Sequence, residues 1–216
     1  MLIALLTLSL KIGKPPSPQK IATAAISGTG FIPVAAQMAT TPLSQVEQKT
    51  LLVMREEEKV ARDLYREMHR LWGVSLFKSV AGEEQEHMDA MARLLARYQL
   101  PDPVGNNGPG TFVNPAMTNL YQTLAQRGAQ SVEEALRACA LEEEINILDL
   151  EDAIKTTTQA DLKRVYSELQ KDSYNHLRSF AHGLELRGIA YQGVKLPQAT
   201  ITAILHGPME RGFMLR

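Results

Sequence analysis

The sequence predicts an all-α protein, a bundle of four long helices, and three observations indicate this fold class. Apolar residues recur at alternating intervals of three and four along four long stretches, which is the spacing of one face of an α-helix. Glycine and proline residues separate the first three stretches, and residues 156–160 (TTTQA) separate the third from the fourth. Aromatic residues make up only 6% of the 216-residue chain. Leucine, alanine, glutamate, glutamine, arginine and methionine recur, and all of them are good helix formers.

The first two stretches predict two antiparallel helices. Ser44 and Glu47 form a capping-box pattern that begins the first helix, and Gly73 ends it. The apolar face of the first helix consists of Leu51, Met54, Glu58, Ala61, Tyr65, Met68 and Trp72. The face of the second consists of Phe77, Val80, Glu84, His87, Met91, Leu94 and Tyr98. Because the break between them is short, we expect the two helices to pack side by side.

A long connection separates the second helix from the third. Residues 101–114 are rich in proline, glycine and asparagine and predict a loop. Residues 115–127 predict a short helix that ends at Gly128. The whole connection has about thirty residues, far more than a helix hairpin needs. We therefore expect it to cross the bundle from end to end.

Two further stretches predict a second helix hairpin. The third helix begins after Ser131, and its buried face consists of Leu136, Ala140, Glu143, Ile147, Leu150 and Ile154. The fourth begins at Asp161, and its face consists of Leu162, Tyr166, Leu169, Ser173, His176, Phe180 and Gly183. The bundle is thus predicted over residues 44–190. An irregular tail, 191–216, follows it, with a short helix near 198–205.

Charge and composition exclude several classes of protein. The formal net charge of −1 argues against a nucleic-acid-binding protein, because neutralising phosphates requires a surplus of basic residues. No uncharged apolar run reaches the roughly 18 to 20 residues of a membrane-spanning helix. Cys139 is the only cysteine, which excludes an internal disulfide, a cysteine zinc finger and a CxxC redox centre.

Residues 1–40 differ in composition from the rest of the chain. They contain three lysines and no acidic residue, and an apolar stretch over 21–39 ends in small residues. This order is similar to an export signal with its cleavage region, and it predicts a periplasmic or extracellular protein. If the segment is not a signal, the protein is expected to be cytoplasmic.

Five polar side chains interrupt the apolar faces near the middle of their helices. They are Glu58, Glu84, His87, Glu143 and His176. Burying an ionised carboxylate alone is strongly unfavourable, and no lysine or arginine lies on the four faces to neutralise these. Three carboxylates and two imidazoles in one layer therefore predict a divalent-metal site. Oxygen and nitrogen ligands without a thiolate favour iron, manganese or zinc over copper(I).

Glu84 and His87 form a Glu-x-x-His motif, which places both side chains on one helical face. With single glutamates on other helices, the motif resembles the ligand pattern of the ferritin-like superfamily of di-iron and di-manganese proteins. Residues 56–65 resemble the first helix of rubrerythrin-like proteins, and 140–154 are similar to the third helix of bacterioferritin-like chains. The resemblance covers roughly residues 44–190 and is closest to an often exported branch of the superfamily.

The resemblance implies a fold, a cofactor and a reaction. The fold is a ferritin-like four-helix bundle, two antiparallel helix hairpins joined by a long crossover that contains a short helix. The cofactor is one or two irons, with manganese or zinc as alternatives, held by the five polar residues. The implied reaction is a ferroxidase-like or peroxidase-like oxidation of Fe(II) by dioxygen or peroxide, with an external electron donor. A homo-oligomer is compatible with this interpretation.

Ser173 departs from the family pattern, which expects a glutamate three residues before His176. A lopsided two-metal site and a single-ion site both remain open, with Asp172, Glu144 and Asn146 as candidate substitute ligands. The alternative is a non-enzymatic exported binding or assembly module, whose polar layer is satisfied by its own hydrogen bonds. The remaining acidic residues near the ligands are expected on solvated faces: Glu56, Glu57, Glu83, Glu86 and Glu142.

Overall fold

The structure, a computed structural model, describes residues 41–210. These residues form six α-helices and no strand, which confirms the all-α class. The helices are α1 (Gln45–Trp72), α2 (Ser75–Arg97), α3 (Pro115–Gly128), α4 (Val132–Thr156), α5 (Ala160–Glu185) and α6 (Gln198–His206). None of the six is both long and apolar enough to cross a bilayer. The predicted export signal lies outside the described residues, so export stays a prediction.

The four long helices pack in two pairs. α1 lies along α2, and α4 lies along α5, because breaks of a few residues turn the chain back on itself. α1 also contacts α4, and α2 contacts α5, which brings the apolar faces of all four helices together. The short helix α3 packs against α1 and α4, and α6 packs against α5.

The ends of α1 follow from its sequence. The Ser44 hydroxyl accepts a hydrogen bond from the Glu47 N–H at 3.2 Å, and the Glu47 carboxylate accepts one from the Ser44 N–H at 2.9 Å. Gly73 ends the helix with a φ of 66°, a left-handed conformation that glycine adopts without steric penalty.

The core consists of two apolar clusters with a polar layer between them. On α1, Leu51 and Met54 belong to one cluster and Ala61 and Leu64 to the other, with Glu58 between them. The predicted ligands of α2 and α5 also lie between residues of the two clusters. On α4, Ala140 and Ile147 on either side of Glu143 belong to one cluster, and the other begins at Leu150. Most residues of each predicted face are buried. The exceptions at the helix ends are Trp72, Tyr98 and Ile154, which are partly exposed.

A carboxylate of α1 fixes the connection that leads into α3. Glu56 is 3% exposed, and it accepts hydrogen bonds from the backbone N–H groups of Val113 at 2.5 Å and Asn114 at 3.0 Å. The prediction of a solvated Glu56 was therefore wrong. The residue is covered by a loop whose position is not encoded in the periodicity of α1.

Two cations of α1 hold the same loop. Arg55 pairs with Asp102 at 2.9 Å and also donates to the carbonyl oxygen of Met88 at 2.7 Å. The fully buried Lys59 ammonium donates to the carbonyl oxygen of Gly108 at 2.8 Å and pairs with Asp63. These cations lie beneath the loop and are paired there, away from the faces that form the polar layer.

The segment after α5 packs on the bundle through a single buried carboxylate. Glu144 of α4 accepts hydrogen bonds from the Tyr191 hydroxyl at 2.5 Å and from the backbone N–H groups of Lys195 and Leu196, each at 2.6 Å. Residues 191–210 thus belong to the folded unit, and α6 lies where the sequence indicated a short helix. Glu144 is committed to this segment, so it does not serve as a substitute ligand. Residues 211–216 of the predicted tail lie outside the described part of the chain.

Glu47 connects the start of α1 to the break between α4 and α5. Its Oε1 atom accepts hydrogen bonds from the Thr157 hydroxyl and the Thr158 N–H, both at 2.9 Å. Burial alone would raise the pKa of this carboxyl group. The hydrogen bonds from Ser44, Thr158 and Thr157 outweigh burial and lower its pKa from 4.5 to about 2.

We predict that Glu47→Gln lowers the free energy of unfolding by about 1–2 kcal/mol near neutral pH, because the charged hydrogen bonds are weakened. The folded-state pKa lies below the unfolded value, so this contribution is present above pH 4.5 and is lost as the pH falls toward 2. Urea unfolding of wild type and variant at several pH values measures the difference. A difference that does not shrink in acid would contradict the assignment, and Glu86→Gln on the exposed face of α2 is the control.

Candidate metal centre

All five predicted ligands lie in the polar layer between the two apolar clusters. α1 contributes Glu58, α2 contributes Glu84 and His87, α4 contributes Glu143 and α5 contributes His176. None of these side chains is more than 3% exposed. The structure thus brings the whole set together from four different helices.

The five residues form two adjacent groups that share one member. Glu58, Glu84 and His87 form one group, and Glu84, Glu143 and His176 form the other. Within each group, one oxygen or nitrogen atom per residue lies within 4.8 Å of the others. The Oε2 atom of Glu84 lies 2.9 Å from Nδ1 of His87, and its Oε1 atom lies 2.8 Å from Nδ1 of His176. A carboxylate with one oxygen in each group is placed to bridge two metal ions.

Several oxygen and nitrogen atoms in the layer that could bind a metal ion have no hydrogen-bond partner within residues 41–210. They are Oε1 of Glu58, Oε1 of Glu84, Oε2 of Glu143 and Nδ1 of His176. The close approach of His176 to Glu84 therefore lacks the alignment of a hydrogen bond. Leaving a buried polar atom unpaired costs about 1–3 kcal/mol, and more when the group is charged. Converging unpaired oxygen and nitrogen atoms are the donor set that a divalent cation requires.

Each histidine directs Nδ1 to the layer and Nε2 to a carboxylate outside it. Nε2 of His87 lies 3.3 Å from Oδ2 of Asp172, and Nε2 of His176 lies 3.0 Å from Oε2 of Glu83. Each outer partner comes from the other helix. Asp172 of α5 contacts His87 of α2, and Glu83 of α2 contacts His176 of α5. Metal-binding histidines commonly have such a partner on the second nitrogen. Asp172 therefore orients the predicted ligand His87, and Glu83, expected only to be solvated, contacts the predicted ligand His176 from a largely exposed position.

Burial and neighbouring charges set the protonation of the layer. Burial raises the pKa of Glu58 to about 7, although contacts with His87 oppose the rise. Burial would also raise the pKa of Glu84, but the charges of His87 and His176 hold it below its usual range. Burial would lower the pKa values of both histidines, and the neighbouring carboxylates, led by Glu84 for His87 and Glu143 for His176, raise them well above 6.5. Both imidazoles thus carry a proton that a metal ion would displace.

Glu142 is a member of the site that sequence reasoning missed. It was expected on a solvated face, but it is 1% exposed, and its Oε2 atom lies 2.6 Å from the Tyr65 hydroxyl. The same hydroxyl lies 2.7 Å from Oε1 of Glu143. A phenol donates one proton, so it donates to one carboxyl group and accepts from the other. Burial and the charge of Glu143 raise the pKa of Glu142, which makes Glu142 the protonated partner.

Three further residues near the layer have different surroundings. Ser173, in the place of the expected glutamate, is 1% exposed and its hydroxyl oxygen has no partner within the described residues. Asn146 is equally buried, and both of its amide atoms are likewise unpaired there. Cys139 is a buried thiol one turn before Glu143, and burial followed by the charges of Glu142 and Glu143 raises its pKa.

Known proteins identify the family. A family described as "uncharacterized protein domain (DUF2202)" matches residues 47–208, a range that includes every residue of the layer. The chain belongs to this family. It is 40% identical over 171 residues to the uncharacterized protein MJ0754 of Methanocaldococcus jannaschii. This alignment covers 79% of this chain and 92% of the relative.

A solved structure is similar to this DUF2202 chain. The crystal structure of the hypothetical protein MJ0754 from Methanococcus jannaschii DSM 2661 aligns with a TM-score of 0.77 and 39% sequence identity. The alignment covers 79% of this chain and 98% of that chain. The aligned part of this chain therefore corresponds to nearly the whole of that chain.

We predict that His87 and His176 remain doubly protonated above pH 6.5 in the metal-free protein, because buried carboxylates surround both rings. Their raised folded-state pKa values stabilise the metal-free fold fully below the unfolded pKa and progressively less as the pH rises through the folded values. Imidazole ¹⁵N chemical shifts report the protonation directly, and the chain has only five histidines to assign. Neutral rings at His87 and His176 near pH 7 would contradict this description of the layer.

Proposed function

We propose that this DUF2202 chain is a metal-binding protein in which a ferritin-like four-helix bundle holds two metal ions, preferentially iron. The observation that carries the proposal is the pair of adjacent three-residue groups that share Glu84. The pairing of α1 with α2 and of α4 with α5 supports the architecture, as does the Glu-x-x-His motif of α2. Nitrogen and oxygen donors without a thiolate suit iron, with manganese and zinc as alternatives.

The residues have distinct roles in this proposal. Glu58 and His87 would hold one ion, Glu143 and His176 the other, and Glu84 would bridge them. Asp172 and Glu83 orient the two imidazoles through their Nε2 atoms. The Tyr65 hydroxyl, which lies between Glu142 and Glu143, fixes the Glu143 carboxylate by a hydrogen bond. Ser173 leaves the α5 side of the layer with one carboxylate fewer than the family pattern provides.

The proposed reaction is the oxidation of Fe(II) by dioxygen or peroxide. Bound iron would supply the electrons and the open coordination positions, and the apolar clusters on both sides of the layer limit the access of water. The single cysteine is buried, so further reducing equivalents must come from another molecule. Export of the protein and assembly into a homo-oligomer belong to the same proposal.

A metal-free module is the second candidate function. It is favoured by ion pairs within the layer, in which His87 approaches Glu84 and Glu58 while His176 approaches Glu84 and Glu143. These pairs compensate part of the buried charge without a metal ion. In that case the chain is an exported binding or assembly protein with a polar core and no redox activity.

Metal analysis of untagged protein distinguishes the two candidates. After anaerobic reconstitution we expect about two irons per chain whose binding depends on Glu84, and an absorbance change on adding oxygen. Glu84→Gln should lose most of the metal because it removes a ligand from both groups, and His87→Ala should lose about one ion. Glu86→Gln, on the exposed face of the same helix, should retain both. If the wild-type protein binds no iron, manganese or zinc, the metal-free module is the candidate function that remains.

The outer carboxylates provide a separate test. We predict that Asp172→Asn weakens metal binding about 10–100-fold, because it removes the charged partner that orients His87. Competition with a chromophoric chelator measures the affinity. Glu185→Gln, an exposed carboxylate on the same helix, is the matched control. Equal affinities for wild type and Asp172→Asn would show that the contact is incidental to metal binding.

A further inference from the structure

A second group of buried polar residues lies between α1 and α4, beside the layer. Glu57 of α1 is 3% exposed, and its carboxyl group interacts with that of the half-buried Asp149 of α4. The charges that act most strongly on this pair are also carboxylates, Glu58 beside Glu57 and Asp152 beside Asp149. The expectation of a solvated Glu57 was therefore wrong. Two carboxyl groups in contact must share a proton or hold a cation.

An unpaired amide accompanies the two carboxyl groups. Asn146 lies one turn after Glu143 and one turn before Asp149, a spacing that places its side chain between those of the other two along one side of α4. It is 1% exposed, and its amide oxygen and nitrogen have no hydrogen-bond partner within the described residues. The Oε2 atom of Glu57 is also buried and unpaired. Because such atoms are costly to leave unsatisfied, they point to a ligand that is not part of the chain.

We propose that Glu57, Asn146 and Asp149 form an accessory site for a divalent cation. Two carboxylates and an amide oxygen are ligands typical of hard or borderline cations such as Mn(II), Mg(II) and Fe(II). The site is distinct from the two groups that share Glu84, since its two carboxylates belong to neither. It requires no metal in the core layer in order to bind its own ion.

The location of the accessory site also suggests a role. Asp149 reaches solvent, whereas Glu57 adjoins Glu58, and Glu142 lies one turn before Asn146 on α4. A line of oxygen ligands thus leads from the surface to the polar layer between α1 and α4. The accessory site is the point at which ions enter this line on their way to the layer. This role, unlike the site itself, rests on the proposed function.

Binding of Mn(II) to the full chain tests the site, with electron paramagnetic resonance to count free and bound ions. In a Glu84→Gln background, which disables both core groups, we expect about one Mn(II) per chain. Adding Asp149→Asn should weaken that binding at least about tenfold, and Asn146→Asp should tighten it several-fold by adding a carboxylate. Asp152→Asn removes the same charge one turn away and should change the affinity less than about threefold.

Two results would overturn the accessory site. One is the absence of Mn(II) binding by a Glu84→Gln chain whose circular dichroism and melting match wild type. Glu84→Ala, which also removes the ligand shared by both core groups, is used if that variant does not fold. The other is equal affinity with and without Asp149→Asn, which would mean that the carboxyl pair shares a proton. Failure of the proposed function looks different, because the ions that depend on Glu84 would then be missing while the accessory ion remains.

Loading kinetics test the role. Wild type should fill the core groups with Mn(II) at least about fivefold faster than Asp149→Asn at the same final occupancy, because the accessory ion raises the local supply. Equal rates in a variant that has lost the accessory ion would overturn the role of the site in ion uptake.

Discussion

Buried negative charge is the constraint on which the rest of the structure depends. The two apolar clusters enclose the carboxylates of Glu58, Glu84 and Glu143 and exclude the water that would otherwise solvate them. Charge compensation must therefore come from within the layer, through protonated imidazoles, or from bound cations. The arginine and lysine of α1 do not contribute, because they pair with Asp102 and Asp63 outside the layer.

The other buried carboxylates are used to hold the connections in place. Glu47, Glu56 and Glu144 each accept hydrogen bonds from backbone N–H groups of a segment that has no regular partner of its own. An ionised acceptor makes stronger hydrogen bonds than a neutral one, so each contact fixes a loop without a long apolar interface. The long helices thus position both the layer and the non-helical segments that cover it.

Periodicity in the sequence predicted the helices and the five ligands because it reports which side of a helix faces the bundle axis. Glu57 and Glu142 were missed because they lie between α1 and α4, where burial depends on the neighbouring helix. Glu56 and Glu144 were missed because loops cover them, and loop positions are set by contacts distant in sequence. The superfamily architecture stays a prediction that rests on the resemblance of the motifs. The metal also stays a prediction, since no local pattern distinguishes a metal-loaded layer from a self-paired one.

Three consecutive glutamates of α4 have three different partners. Glu142 meets Tyr65, Glu143 approaches His176, and Glu144 holds the segment after α5. Successive residues of an α-helix differ by about 100° in direction, so a single inserted or deleted residue before this run would exchange the partners of all three. Evolution of the chain can therefore vary the length of its loops, but the register of α4 is fixed at this point.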